Sequence, residues 1–158
     1  MSWRLVKTLL FTLVMPGTVG VYLPQALRSD QRALPLPVHF AGIAVFACGA
    51  AIYFWCAWDF AAKGLGTPLP LDAPRVLVVK GLYRFSRNPM YVGVLSVIFG
   101  QAIYYGSLLV VAYGFLVLLA FRLFARLYEE PTLKRLFGAQ YEEYCRKVPR
   151  WIFHQSRV

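Results

Sequence analysis

Acidic side chains are scarce in this sequence: seven Asp and Glu stand against seventeen Lys and Arg, a formal net charge of +10 over 158 residues. Histidine is scarcer still, with only His39 and His154, far apart in the chain. A lone His39 at the start of an apolar run is expected to be a partly solvated interfacial residue and not a ligand. The three cysteines, Cys48, Cys56 and Cys145, have no metal-ligand spacing, and two of them lie inside an apolar segment. Neither a disulfide framework nor a metal site is therefore expected, and the cysteines read as packing residues. No Ser/His/Asp set is present, and Gly64-Leu-Gly66 lacks the third glycine and the preceding strand of a dinucleotide fingerprint. The basic excess flanks apolar runs and forms no single stripe, which fits an anionic lipid surface and argues against nucleic acid.

What the chain has in quantity is apolar surface. Hydrophobic residues make up 59% of it, far above the share in a soluble domain, and long stretches carry no charge. Thr8 to Leu27 is such a stretch, preceded by Arg4 and Lys7. A small-residue cleavage site does not follow it, so it reads as a retained first crossing with a kink or packing notch at Pro16-Gly17. Ala33 to Trp58 is the second, with Ala47, Gly49, Ala50 and Ala51 offering a face for close approach by a neighbour. Tyr53, Trp55 and Trp58 form an aromatic belt at its end. Asn88 to Phe121 is 34 residues without a formal charge, which as one helix would extend about 51 Å against a hydrocarbon core of about 30 Å. The break signal Tyr104-Tyr105-Gly106-Ser107 divides it into a tight hairpin, roughly 89–104 and 107–127. Pro131 is expected to end the second arm near Glu129-Glu130 and to open a new helix. In that helix Leu133, Leu136, Phe137, Tyr141, Tyr144 and Val148 recur at three- and four-residue spacing, the pattern of an amphipathic helix at the membrane surface, with Gly138 a point of division.

The expected fold is thus an all-α integral membrane protein with about four transmembrane helices and a C-terminal amphipathic helix. It forms one domain over 1–158, with two crossings in 1–62 and a loop, hairpin and surface helix in 63–158. Fifteen of the seventeen basic residues fall on one side of such a chain, with only Arg28 and Arg32 opposite. The positive-inside rule then places both termini and the 63–88 connection in the cytoplasm, in a bacterial inner membrane.

Chemistry concentrates in Gly81-Leu-Tyr-Arg-Phe-Ser-Arg-Asn-Pro-Met-Tyr-Val-Gly93. Arginine suits a carboxylate, tyrosine a flat ring or a sulfonium, and the glutamate pair Glu129-Glu130 an ammonium. S-adenosyl-L-methionine combines all of these features. Taken alone, the glutamates also read as helix-end acids paired with Arg126 or Lys134, and Tyr83 and Tyr91 as belt aromatics.

Arg75-Val-Leu-Val78, Gly81-Leu-Tyr83, Arg87-Asn-Pro-Met-Tyr91 with Gly93, Glu129-Glu130, and Phe137-Gly138 followed by Tyr141, Tyr144 and Val148-Pro149 together resemble the isoprenylcysteine carboxyl methyltransferase family. The bacterial relatives of that family include phospholipid methyltransferases. The resemblance covers about residues 64–151. It implies S-adenosyl-L-methionine contacts at Arg75, Val76, Leu77, Val78, Tyr83, Asn88, Pro89, Met90 and Tyr91, and an ammonium partner at Glu129 or Glu130. It implies a substrate-contacting arginine on the last transmembrane helix, for which Arg122 and Arg126 are candidates. Eukaryotic members usually carry histidine where Asn88 stands, a departure that bears on the acceptor more than on the cofactor. The implied function is methyl transfer at the cytoplasmic membrane face to a lipophilic or lipid-modified acceptor, foremost a prenylcysteine-type carboxylate. Phospholipid N-methylation and a non-enzymatic packing or transporter subunit stand as alternatives, and the sequence does not fix an oligomeric state.

Overall fold

A computed structural model describes residue 14, residues 16–62 without the side chains of 60–62, and residues 76–151. The beginning of the first expected crossing, the 63–75 loop with the cofactor candidate Arg75, and His154 lie outside the described residues. Among the described residues there is no strand. A π-turn, Thr18–Tyr22, leads into α1 (Leu23–Leu27) and a 3-10 turn, Arg28–Asp30. Next come α2 (Leu36–Ala62), a 3-10 turn Gly81–Arg84, α3 (Pro89–Tyr105) and α4 (Leu108–Phe124). A second π-turn, Ala125–Glu129, joins α4 to α5 (Glu130–Phe137), and α6 (Ala139–Lys147) follows.

Leu36–Asp59 and the unbroken rod Leu108–Phe137 are long and apolar enough to cross a membrane, at 24 and 30 residues. The 17 residues of α3 rise about 26 Å, a little short of the hydrocarbon core. Phe40, Phe54, Trp58, Phe115, Leu116 and Leu119 point outward with more than half their surface exposed, as a lipid-facing surface allows. The protein is an all-α membrane protein.

Its centre is an antiparallel contact between α2 and α3 made at the level of the backbone. A Cβ on Gly49 would lie 2.7 Å from the Gly93 carbonyl oxygen and 2.7 Å from the Val97 nitrogen, and one on Gly100 would lie 2.5 Å from the Phe46 nitrogen. Gly42 and Gly93 are equally tight, against Tyr104 and Tyr53 backbone. The helices touch because each lacks side chains there. Of the small residues expected to make this face, Gly49 does so, whereas Ala47 and Ala51 are exposed. The contacts repeat at Gly42 and Gly49, a spacing that turns positions 47 and 51 away from α3.

The hairpin break falls where expected. Gly106 takes a left-handed conformation (φ 59°, ψ 31°) and closes α3 with bonds to the Ala102 and Ile103 carbonyls, a conformation that costs least for glycine. The Ser107 hydroxyl accepts from the Val110 amide at 3.2 Å. Asp30, from the α1–α2 connection, accepts from the Leu108 and Leu109 amides at 3.0 and 3.2 Å and from the Ser107 hydroxyl. The negative carboxylate thus meets the positive end of α4.

Pro131 does not end the second arm, contrary to the sequence expectation. Proline cannot donate to the carbonyl four residues back and its ring crowds that turn. The helix meets this by widening into the π-turn Ala125–Glu129, where the Glu130 amide bonds to the Ala125 carbonyl, and then continues. The same device precedes Pro24: the Leu23 amide bonds to Thr18, and the Gly20 carbonyl that Pro24 cannot serve accepts from Gln101 Nε2 at 2.6 Å. Gly138 (φ 49°, ψ −123°) divides the amphipathic segment into α5 and α6. Tyr141, Tyr144 and Val148 form a small core with Leu77, Leu133 and Phe137, while Leu136 is exposed.

Two outcomes are expected. Gly49→Ala or Gly100→Ala should force α2 and α3 apart and destabilise the protein by roughly 1 to 3 kcal/mol; thermal unfolding in detergent measures it, with Ala51→Val as an exposed-site control. The Asp30 carboxyl is held below the usual carboxylate range, first by the Ser107 hydroxyl and then by the Leu109 and Leu108 amides. Its folded pKa is depressed, so the stability it contributes is present above the ordinary value of about 4 and is lost as pH falls through the lower one. Asp30→Asn should flatten the acid limb of a stability-against-pH curve below about pH 4.

Candidate active site

The end of α2, the segment 76–88, the start of α3, the π-turn and the stretch after α6 converge on one locality. Gly81, at φ 64°, opens the 3-10 turn, and the Asp59 carboxylate at the end of α2 occupies the place where a Cβ on Gly81 would stand. Tyr83 follows in that turn. Its carbonyl accepts from the Tyr144 hydroxyl at 2.7 Å, and its phenol is held well above the usual tyrosine range, first by burial and then by Cys56, Glu129 and its tyrosine neighbours. Val78 is buried, Leu77 is half-buried and Val76 is exposed.

Pro89 begins α3, as its fixed φ favours, and Asn88 before it adopts φ −128°, ψ 51°, outside the helical region as a residue preceding proline tends to be. The Asn88 side-chain amide does not reach outward: Nδ2 donates to the Arg150 carbonyl at 3.0 Å. Met90 packs on the main core. One helical turn in, Tyr91 stacks on Phe121 at 4.4 Å between ring centroids, has Trp151 at 6.4 Å, and donates its hydroxyl to Glu129 Oε2 at 2.9 Å.

The two adjacent glutamates, interchangeable in sequence, have different surroundings. Glu130 is held by Arg150 through two parallel bonds, Nε to Oε1 at 2.6 Å and an Nη to Oε2 at 2.7 Å, and by Arg87 at 3.2 Å. The hydrogen bond to Glu130 raises the Arg150 pKa above its ordinary value. Glu129 has the Tyr91 hydroxyl, and among the described residues no cationic side chain lies within ion-pair distance of it. The Arg87 Nε–H is buried and has no acceptor among the described residues, although the same guanidinium donates to Glu130 and to Cys145 Sγ at 3.0 Å. Cys145 is thus an acceptor at the edge of this cluster as well as a packing residue. The Glu129 carboxylate, with no cationic partner among the described residues, and the Arg87 Nε–H, with no acceptor among them, are complements to the ammonium and carboxylate of an amino acid.

Of the substrate candidates, both Arg122 and Arg126 are exposed. Arg126 lines an open groove of about 420 Å³ together with Glu130, Lys134, Tyr141 and Cys145, and Arg122 does not. Sequence reasoning missed Arg150, Trp151 and Phe121, and named Arg87 only as part of a motif. The one available signal for Arg150 was its place after Val148-Pro149, where an amphipathic helix ends in a chain poor in acids.

These elements coincide with what comparison finds. Residues 37–140, roughly two thirds of the chain, match the pattern of the phospholipid methyltransferase family. Over 79 residues the chain is 38% identical to Protein-S-isoprenylcysteine O-methyltransferase B of Arabidopsis thaliana, covering 48% of this chain and 39% of that protein. The chain therefore spans well under half the length of that relative. No solved structure matches it. The matched region runs from the start of α2 into α6 and contains Tyr83, Arg87, Tyr91, both glutamates and the two candidate arginines. The chain belongs to the phospholipid methyltransferase family, a family of membrane methyltransferases related to the isoprenylcysteine enzymes.

Proposed function

We propose that this protein transfers a methyl group from S-adenosyl-L-methionine to a lipophilic acceptor at the cytoplasmic face of the membrane, with a carboxylate as the foremost nucleophile. The observation that carries the reading is a pair of groups beside the stacked ring of Tyr91: a carboxylate, Glu129, with no cationic partner among the described residues, and an arginine N–H, Arg87 Nε, with no acceptor among them. Glu129 and not Glu130 takes the ammonium, since Glu130 is already neutralised by two arginines. Arg87 takes the carboxylate, and Tyr83 and Tyr91 offer aromatic faces. When bound, the cofactor supplies an electrophilic methyl on a sulfonium.

A carboxylate acceptor is already ionised at neutral pH and needs no general base. The chain's work is then alignment and exclusion of water, effects that contribute about 7 to 11 kcal/mol when geometry is good. Arg126 lies one helical turn before Glu129 and Glu130 and borders the groove, so it is the residue to hold an anionic head. Arginine pairs bidentately with carboxylate and repels an ammonium. The name of the plant relative supports the O-methyl reading, and the family match keeps a phospholipid amine as its competitor.

Calorimetry with S-adenosylhomocysteine tests the cofactor site. Glu129→Gln should weaken binding about tenfold to a hundredfold, the effect of a charged hydrogen bond of roughly 1.5 to 3 kcal/mol, and unchanged affinity in a folded variant would remove the assigned role. Arg126→Ala should lower turnover by a similar factor with that affinity nearly intact, and Arg122→Ala should do less. With radiolabelled methyl donor, base-labile product label supports the ester, and base-stable label on a zwitterionic phospholipid, indifferent to Arg126, supports the amine. Single cysteines introduced into the 63–75 loop should label only from the cytoplasmic side; labelling from outside intact cells would overturn the orientation.

A further inference from the structure

Arg150 sits outside every motif that led to the site, yet it touches both halves of it. Its backbone carbonyl accepts from Asn88 Nδ2 at 3.0 Å and from Ser86 Oγ at 3.4 Å, and the Pro149 carbonyl before it accepts from the Arg87 amide at 2.9 Å. Its guanidinium, 20 residues away in sequence from Glu130, grips that carboxylate with two bonds. Trp151, next in the chain, lies against Tyr91. The segment 86–91 and the π-turn that ends in Glu129 belong to different helices, and the direct side-chain ties between them are Tyr91 to Glu129 and Arg87 to Glu130. Arg150 supplies the third tie, and it is the one with bidentate geometry.

We infer that Arg150 is a positioning residue for the cofactor site: it clamps the segment after α6 across the gap between Asn88 and Glu130, neutralises Glu130, and so leaves Glu129 as the carboxylate available for an ammonium. The physical reasons are geometric and electrostatic. A bidentate guanidinium–carboxylate pair fixes orientation as well as distance. Two adjacent carboxylates sharing one cation would compete for it, and without Arg150 the Arg87 guanidinium would be the one cationic partner of Glu130 among the described residues. With Arg150 present, Glu130 is satisfied on both oxygens. The Arg150 side chain, 40% exposed against 19% for that of Glu130, leaves the pair open enough that its loss need not unfold the chain.

This inference rests on the cofactor reading above, and the test separates the two. S-adenosylhomocysteine binding is measured by calorimetry in detergent for the full chain, Arg150→Gln, Arg150→Lys, Glu130→Gln and the double variant Glu130→Gln/Arg150→Gln, with thermal unfolding of each in the absence of ligand. Arg150→Gln should weaken binding about tenfold, and Arg150→Lys, which keeps the charge but not the fork, should recover part of it. The double variant should bind within about threefold of Glu130→Gln alone, because once the Glu130 charge is gone Arg150 has nothing left to neutralise. Affinity unchanged by Arg150→Gln overturns the inference. So does loss of affinity that follows loss of thermal stability in all variants, or single effects that simply multiply in the double variant. Failure of the unaltered chain to bind S-adenosylhomocysteine overturns the cofactor reading itself and this inference with it.

Discussion

Backbone contact between α2 and α3 is the constraint on which the rest of the molecule depends. In lipid the apolar side chains of a helix are no better buried against protein than against acyl chains, so association rests on close packing. Gly42 and Gly49 on one helix, Gly93 and Gly100 on the other, let the two main chains meet along two helical turns. Gly93 stands one turn beyond Pro89, so the same contact that holds the bundle sets the height of Asn88, Met90 and Tyr91 relative to the end of α2. Asp59 and Gly81 meet at that end. The placement of the 3-10 turn carrying Tyr83 follows from the same alignment.

The second recurrent device is the π-turn placed just before a proline. Thr18–Tyr22 precedes Pro24 and Ala125–Glu129 precedes Pro131. Each lets a helix pass a residue that cannot complete the ladder, and each leaves backbone or side chains turned out of the usual helical register. In the first case the displaced carbonyls of Val19 and Gly20 accept from Tyr113 and Gln101, stitching the first helix to the hairpin. In the second the turn ends at Glu129 and rotates the two glutamates onto different partners, one toward Tyr91 and one toward Arg87 and Arg150.

Much of this was legible in sequence. Charge-free runs announced the apolar helices, Tyr104-Tyr105-Gly106-Ser107 announced the reversal, and Gly138 announced the division of the surface helix, because each rests on local conformational preference. Family resemblance brought Tyr83, Arg87, Tyr91 and the glutamates to attention, and they do converge. What was not legible depends on tertiary placement. Pro131 looked like a helix end because the π-turn that accommodates it has no sequence signature of its own. The alanines near Gly49 looked like a packing face because the partner helix, which selects positions 42 and 49, was unknown. Glu129 and Glu130 are chemically identical and adjacent, and only the roughly 100° between consecutive helical positions separates their roles. Arg150 was invisible because the partners of its side chain and carbonyl lie in two other elements.

The unbroken rod Leu108–Phe137 has one further consequence. At the rise of an ideal α-helix, the stretch from the start of α4 to Glu129 spans about 32 Å, close to the roughly 30 Å thickness of a hydrocarbon layer. A rod of that length that crosses the bilayer from the start of α4 brings the carboxylates to the level where acyl chains give way to head groups, with α5 continuing beyond. The lipophilic acceptor proposed above would present its polar end at that boundary while its tail stays in the bilayer. Lifting a tail into water costs about 0.8 kcal/mol per methylene; on the proposed reading no such desorption is required, and delivery of the acceptor is a matter of two-dimensional diffusion in the leaflet.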